Sequence, residues 1–238
     1  SKTGGNRELG LNVLIGSALS RKTDSLAERM ESAHKENPFS YTFLGPSGVY
    51  VKEFSEWFAR QLNSSIPRSN FLVIDQFAGK LFGSSNPDMM LVDEHLMNVL
   101  VSNILGSASQ DDIGTLYPLK DSLSLAAVVV EAIKDAKDDG EAELMDRLAN
   151  QSRSLLQFVL RELEARYGSN LFDTFDAYRN INTEYIRSQI KSRFGYKLFL
   201  NGFTNLSHAQ IIFLSKIIPL FEETYITLDP ALMALARW

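Results

Sequence analysis

Eight consecutive residues, Gly16-Ser17-Ala18-Leu19-Ser20-Arg21-Lys22-Thr23, have the types and spacing of a phosphate-binding loop. That loop is written Gly, four residues, Gly-Lys-Ser/Thr. Gly16, Lys22 and Thr23 fall on the pattern, and Arg21 stands where the second glycine belongs. In an intact loop successive backbone N–H groups and the N-terminus of the next helix surround the phosphates. The lysine reaches the outer phosphates and the hydroxyl ligates magnesium. The backbone at the second glycine passes close to phosphate, so an arginine side chain there obstructs or remodels the cradle. Gly16, Ser20, Arg21, Lys22 and Thr23 therefore read as a degenerate site for ATP with Mg2+, weakened or lost. The plainer reading is a helix N-terminus with nearby cations; a position directly after the first strand of an α/β chain favours the nucleotide site.

Hydrolysis of a nucleotide also needs a carboxylate at the end of a second strand, to hold magnesium or orient water. The best candidate strand, Leu198-Phe199-Leu200, is followed by Asn201. Asparagine offers one neutral carbonyl oxygen, a much poorer magnesium ligand than a carboxylate. Ile74-Asp75 is the other strand end with an acid, and a solvated helix cap is its expected role. Other chemistries find less support. His34, His95 and His208 are scattered, with no metal-ligand spacing, and His208 is expected in the first turn of a helix. Ser17 and Ser20 lack the Gly-x-Ser-x-Gly elbow of a serine nucleophile. Asp135–Glu143 reads as a solvated turn between helices. With no cysteine, thiolate nucleophiles, zinc ribbons and disulfide frameworks are excluded.

The elements that must position these residues follow from hydropathy. Five short runs, Leu11–Ile15, Tyr41–Leu44, Phe71–Ile74, Lys197–Leu200 and Thr224–Leu228, are nearly continuous and apolar. That is the pattern of parallel strands covered on both faces. Helical stripes lie between them, at Ser25–Glu36, Tyr50–Leu62 and Ser207–Glu223, the last with a kink expected at Pro219. The first three strands begin about 30 residues apart, a βαβ spacing. Between Ile74 and Lys197 the sequence reads as helix throughout: Met89–Leu105, Ser122–Lys137, Glu141–Tyr167 and Leu171–Ser192. The expected fold is an α/β parallel sheet with helices on both faces, interrupted by an all-helical subdomain. Its boundaries are 1–84 for the first part of the sheet domain, 85–194 for the helical insertion and 195–238 for the second part.

In a chain of 238 residues, 45% hydrophobic residues and 22% charged residues describe an ordinary folded protein. No apolar run of about 18 residues exists, so no bilayer span or membrane partner is expected. The absence of an export signal and of cysteine points to the cytoplasm. Net charge is −5, distributed unevenly: +2 over residues 1–87, −9 over 88–150, +3 over 151–197 and −1 over 198–238.

The order of these elements resembles the amino-terminal part of the AddB-type (RecC-like) subunit of ATP-dependent helicase–exonucleases, relatives of UvrD-like superfamily 1 helicases. The likeness runs through Leu14–Thr23 and through Tyr41-Thr-Phe-Leu-Gly-Pro-Ser47 with the Val51–Leu62 helix. It continues through Phe71–Phe82 to Leu198-Phe-Leu-Asn-Gly-Phe-Thr-Asn-Leu-Ser-His-Ala-Gln210, the most specific match to that family's Asp-Gly-Phe-Thr-x-Phe-x-x-x-Gln segment. The resemblance implies a RecA-like P-loop domain with a helical insert. It also implies DNA as a ligand, a partner helicase–nuclease subunit, and a role in processing DNA ends for recombinational repair. In such complexes the nuclease motif lies near the end of a much longer chain, so a fragment without it is expected. Arg21 for Gly and Asn201 for Asp put ATP turnover in doubt. The family's inserted subdomain lies beside duplex DNA, which makes Arg153, Arg161, Arg166, Arg187 and Lys191 candidate phosphate contacts. Pairing of these cations with the acidic first half of the insert is the alternative. For the whole chain the alternatives are an active P-loop motor and a protein-interaction scaffold without nucleic acid.

Overall fold

The computed structural model describes residues 10–15, 21–139, 148 and 150–228, without the side chains of Asp139, Ser169 and Lys191. They divide into two compact units. The first takes in the chain up to Ala78, Asn182–Leu206 and the chain from Ile211; the second is Gly79–Ile181 with Ser207–Gln210.

The first unit is built on a parallel sheet of five strands, β1 (Gly10–Ile15), β2 (Tyr41–Gly45), β3 (Phe71–Val73), β6 (Lys197–Leu200) and β7 (Glu223–Leu228). Their spatial order is β1-β7-β6-β2-β3. The ladders are in register at Ile15 with Leu228, Leu200 with Ile226, Leu44 with Leu200 and Leu44 with Leu72. All of β2 is buried and β6 is buried from Leu198 to Leu200, as continuous apolar runs require in a sheet covered on both sides. β1 departs from that expectation. It is paired only with β7, and Leu11, Val13 and Ile15 are 51%, 42% and 53% exposed.

Two helices follow the first two strands, α1 (Lys22–Glu36) and α2 (Gly48–Leu62). α2 starts where the Ser47 side chain accepts the Tyr50 N–H at 3.2 Å, and ends at Asn63 in the left-handed conformation. Its apolar stripe, Val51, Phe54 and Phe58, packs with Leu26 and Met30 of α1 and with Phe43, Phe71 and Phe199 of the sheet. Phe43 and Phe54 stack with ring centroids 4.2 Å apart. Burying each such ring stabilises the fold by roughly 1.5–3 kcal/mol. At the opposite edge from the β-strand ends, Gly195 lets the chain enter β6 across Ser40. Its φ is +76°, and a Cβ there meets the Ser40 carbonyl carbon at 2.2 Å.

In the second unit α3 (Ile74–Ser85, whose first residues belong to the first unit) leads to α4 (Glu94–Gly106), α5 (Gln110–Ile113), α6 (Leu123–Asp139), α7 (Asn150–Tyr167) and α8 (Thr174–Asn180). Val101, Ile104, Leu105, Val130, Ile133, Leu155 and Val159 form its core. The expectation of helix throughout is corrected here. β4 (Met90–Leu91) and β5 (Leu171–Phe172) pair in parallel, a ladder too short to leave a periodic signal. The expected helix over Leu171–Ser192 is two helices, α8 and α9 (Thr183–Phe194), and α9 lies in the first unit. The break has a local cause, because Asp173 and Asn182 each accept the N–H three residues on and start a new helix. Among the described residues the last helix is α10 (His208–Ile217), with His208 in its first turn as expected, and it gives way to a single 3-10 turn over Ile218–Leu220 at Pro219.

Gly195→Ala lowers unfolding stability by at least about 2 kcal/mol in urea titration, because backbone rather than a mobile side chain blocks the methyl group. His34, 9% exposed with Nδ1 3.3 Å from the Tyr41 hydroxyl, has its pKa held below 6.5 by burial. The unfolded chain then binds this proton more readily than the native one. Stability falls as pH drops through about 6.5 and levels off below the folded-state pKa. His34→Gln flattens that part of the curve, measured by urea midpoints across the range.

Candidate nucleotide site at the carboxyl edge of the sheet

Because the strands are parallel, the ends of β1, β2, β6 and β7 lie at one edge. The chain leaves β2 outward to β3 and leaves β6 inward to β7. Neighbouring strands whose connections diverge in this way open a crevice between them, the usual place for a ligand in an α/β sheet. Here that crevice is filled. Gly202, directly beyond β6, has φ +87°, and a Cβ on it falls 2.3 Å from the Tyr50 ring. The ring covers the strand end, and burial pushes the Tyr50 phenol above its usual pKa.

The polar part of the edge lies one strand over, between β6 and β7. Asn201 is 2% exposed, and its N–H donates to the Leu44 carbonyl at 3.2 Å. Its side-chain oxygen accepts the hydroxyl of Thr227, itself 2% exposed. Its Nδ2 is buried with no hydrogen-bond partner. On the other side of β7, Lys22 Nζ donates to the Leu228 carbonyl at 3.3 Å. Consecutive residues of one strand thus hold Asn201 and Lys22. Arg21 and Thr23 flank Lys22 at the start of α1, where the N-cap residue Arg21 makes no side-chain capping hydrogen bond. Arg21 is exposed and lines a groove of about 480 Å3 with Asp24, Trp57 and Gln61. Of the candidate site, Lys22 and Asn201 meet consecutive residues at the end of β7, Arg21 and Thr23 flank Lys22 in the chain, and Gly16 and Ser20 lie outside the described residues.

Asn201 does not fit the part of a magnesium ligand. Its one oxygen is taken by Thr227, and the atom left over is an N–H donor, which repels a cation. Among the described residues no group of three or more His, Asp or Glu side chains stands in metal-binding proximity. Thr227, Tyr50 and Gly202 complete the arrangement, and only Gly202 stood out beforehand, as part of Asn201-Gly202-Phe203. Two threonines inside an otherwise apolar strand, Thr224 and Thr227, were the available signal for a polar contact within the sheet.

The candidate DNA contacts divide between the units. Arg153, Arg161 and Arg166 lie on α7, and Arg187 and Lys191 on α9. Arg166 is held by Glu162 at 3.1 Å and by the Ser107 hydroxyl at 2.8 Å. Arg153 is half-buried, with Nη2 3.4 Å from the Leu148 carbonyl. The Arg161 side chain is 68% exposed, lies over the Phe158 ring and pairs with Glu162 at 3.7 Å, with Asp112 also attracting it, and Arg187 is exposed. The Lys191 side chain lies outside the described residues. No protein-family model matches the chain, and no curated protein does.

Thr227→Val removes the donor to Asn201 and leaves both ends of a buried amide unpaired, which is expected to reduce stability by roughly 1–3 kcal/mol. Adding Asn201→Leu removes the orphaned amide and restores most of the loss, as read from urea midpoints of the single and double variants.

Proposed function

We propose that this chain is a RecA-like domain, with its helical insertion, from a subunit of a DNA end-processing helicase–exonuclease. In this reading it is a cytoplasmic protein of recombinational repair that holds DNA and a partner helicase–nuclease subunit and does not turn over ATP. The observation that carries the reading is the sheet. Five parallel strands set Lys22 and Asn201 on one edge, and the helical unit enters the sequence between β3 and β6. Loss of turnover is supported by Asn201, whose oxygen is engaged by Thr227. A DNA role is supported by Arg187, exposed to solvent, and by Arg161, which is 68% exposed beside Glu162 at 3.7 Å, a pair weak enough at the surface to yield to phosphate. Among the described residues no helix is long and apolar enough to cross a membrane.

The test is binding of a tailed duplex at about 0.1 M salt, alongside an ATP turnover assay with and without that DNA. Duplex binding without DNA-stimulated turnover is the expected result. Arg161→Glu and Arg187→Glu each lower the salt slope of log affinity by about one. Unchanged affinity and slope in both variants remove these contacts, DNA-stimulated turnover restores the motor reading, and no duplex binding leaves a protein scaffold.

A further inference from the structure

We infer that the second unit holds a binding site for a small organic amine, its apolar body in a cavity of the helical core and its cationic head beside Glu164, Asp173 and Asp176. The cavity measures about 410 Å3, within the range of roughly 300–1,000 Å3 usual for small-molecule sites. Its wall is built from described residues of this unit alone, so the inference goes beyond the DNA reading above and does not depend on it. Ile133 of α6, Leu160 and Leu163 of α7, and Phe82 and Phe172 make up much of the apolar part. The Phe82 and Phe172 rings lie 4.7 Å apart and are tilted by 50°, aromatic surfaces suited to packing a further ring. Such a wall favours any body that takes its apolar surface out of water.

Charge decides the class of ligand. Lys137 of α6, Glu164 of α7, and Asp173 and Asp176 at the start of α8 line the same cavity. Lys137 Nζ lies 2.7 Å from Oδ2 of each aspartate. The two aspartates also cap the helix reciprocally, each accepting the other's backbone N–H at 3.0 Å. Capping α8 and tying it to α6 accounts for Lys137 and for the charge of one carboxylate. The second carboxylate is left without a counter-charge. Asp176 makes both of its bonds through Oδ2, so its Oδ1 has no partner among the described residues. Glu164 has no hydrogen bond or ion pair among them either; being exposed, it contributes less than the aspartates. One lysine against three carboxylates leaves the wall at net −2. Burial holds the Asp173 pKa above its usual value, and a second cation nearby would offset that penalty. Carboxylates perturbed in this way beside an apolar cavity are the mark of a binding site rather than of a surface. Among the described residues no group of three or more His, Asp or Glu side chains is placed to hold a metal ion, and the apolar walls call for a cation that carries a hydrocarbon body.

The experiment follows the methionine methyl resonances of the whole chain by NMR, because Met89 and Met97 line the cavity and Met30 lies in the core of the first unit. Three probes share one aryl body and differ in the charge of the head: phenethylamine, phenethyl alcohol and phenylacetate. Phenethylamine is expected to shift the Met89 and Met97 signals and leave Met30 in place. Phenethyl alcohol binds about tenfold more weakly and phenylacetate does not bind. Asp176→Asn weakens the amine by about fivefold or more and leaves the alcohol unchanged. Glu164→Gln, at an exposed position, weakens it by about twofold. Leu163→Trp fills the cavity and abolishes the shifts caused by amine and alcohol alike. Equal or tighter binding of the alcohol or the acid overturns the inference, as does a titration in which no probe moves Met89 and Met97. Carboxamide variants that leave amine binding intact, or that weaken amine and alcohol equally, overturn it as well. Should Asp176→Asn or Leu163→Trp fail to fold, Glu164→Gln and the ranking of the three probes on the unaltered chain decide.

Discussion

The site depends on β6 having no surface of its own. Leu198, Phe199 and Leu200 are at most 1% exposed, and the strand lies between β2 and β7. A strand so enclosed can satisfy its N–H and C=O groups only through the ladders on either side. Its neighbours must therefore run parallel in fixed register, and whatever follows Leu200 emerges already buried. Asn201 inherits that burial. A polar side chain in such a place requires partners, and register supplies one, because Leu200 opposite Ile226 leaves Asn201 beside Thr227. The same enclosure makes any residue at this position consequential. A carboxylate here would be held charged only by a cation, whereas an amide is tolerated without one.

The aromatic packing and the ligand edge are linked through α2. Its first turn is fixed by Ser47, its body by Phe54 and Phe58 against the sheet, and between them Tyr50 is brought over Gly202. The opening between β2 and β6 is thus closed by the same helix whose stripe forms the core. That leaves the β6–β7–β1 side, with Lys22 at its margin, as the polar part of the edge.

β2 and β6 were legible because a strand buried on both faces has to be an apolar run, and Tyr41–Leu44 and Lys197–Leu200 have no competing helical period, whereas β1 was an apolar run without that burial. The stripe of α2 was legible for the matching reason, with Val51, Phe54 and Phe58 recurring at helical spacing. β4 and β5 were not, since two residues cannot show a period. Their pairing joins residues about 80 positions apart, which no local pattern records. The split between α8 and α9 was visible as Asp173 and Asn182, both residues that favour N-caps, but apolar residues on either side continued the helical spacing through them. At the site, Lys22 and Asn201 could be picked out by type and position. Thr227 and Tyr50 could not, because their roles arise from strand register and from a glycine held at positive φ.

Charge shows the difference between composition and structure most clearly. The block with net charge −9 looks like a solvated acidic surface able to neutralise the arginines that follow it. Its acids instead hold backbone and lysines. Asp93 accepts the Leu96 N–H at the start of α4, Asp112 the Ser109 N–H at the start of α5, and Asp138 the Ala209 N–H at the start of α10. Glu94 and Glu131 hold Lys134. Lys137, on the same helix as Lys134, is held 2.7 Å from both Asp173 and Asp176. Burial opposes the charge on Lys137, yet the two carboxylates outweigh it and keep its pKa above the ordinary range, while burial raises that of Asp173. A helix-capping carboxylate works through geometry at the helix end, and Asp112 in that role also attracts Arg161. Arg166 and Arg161 both find Glu162 on their own helix, at 3.1 and 3.7 Å, and Arg187 is exposed. Much of the acidity of residues 88–150 thus goes into starting helices and holding lysines of the same segment.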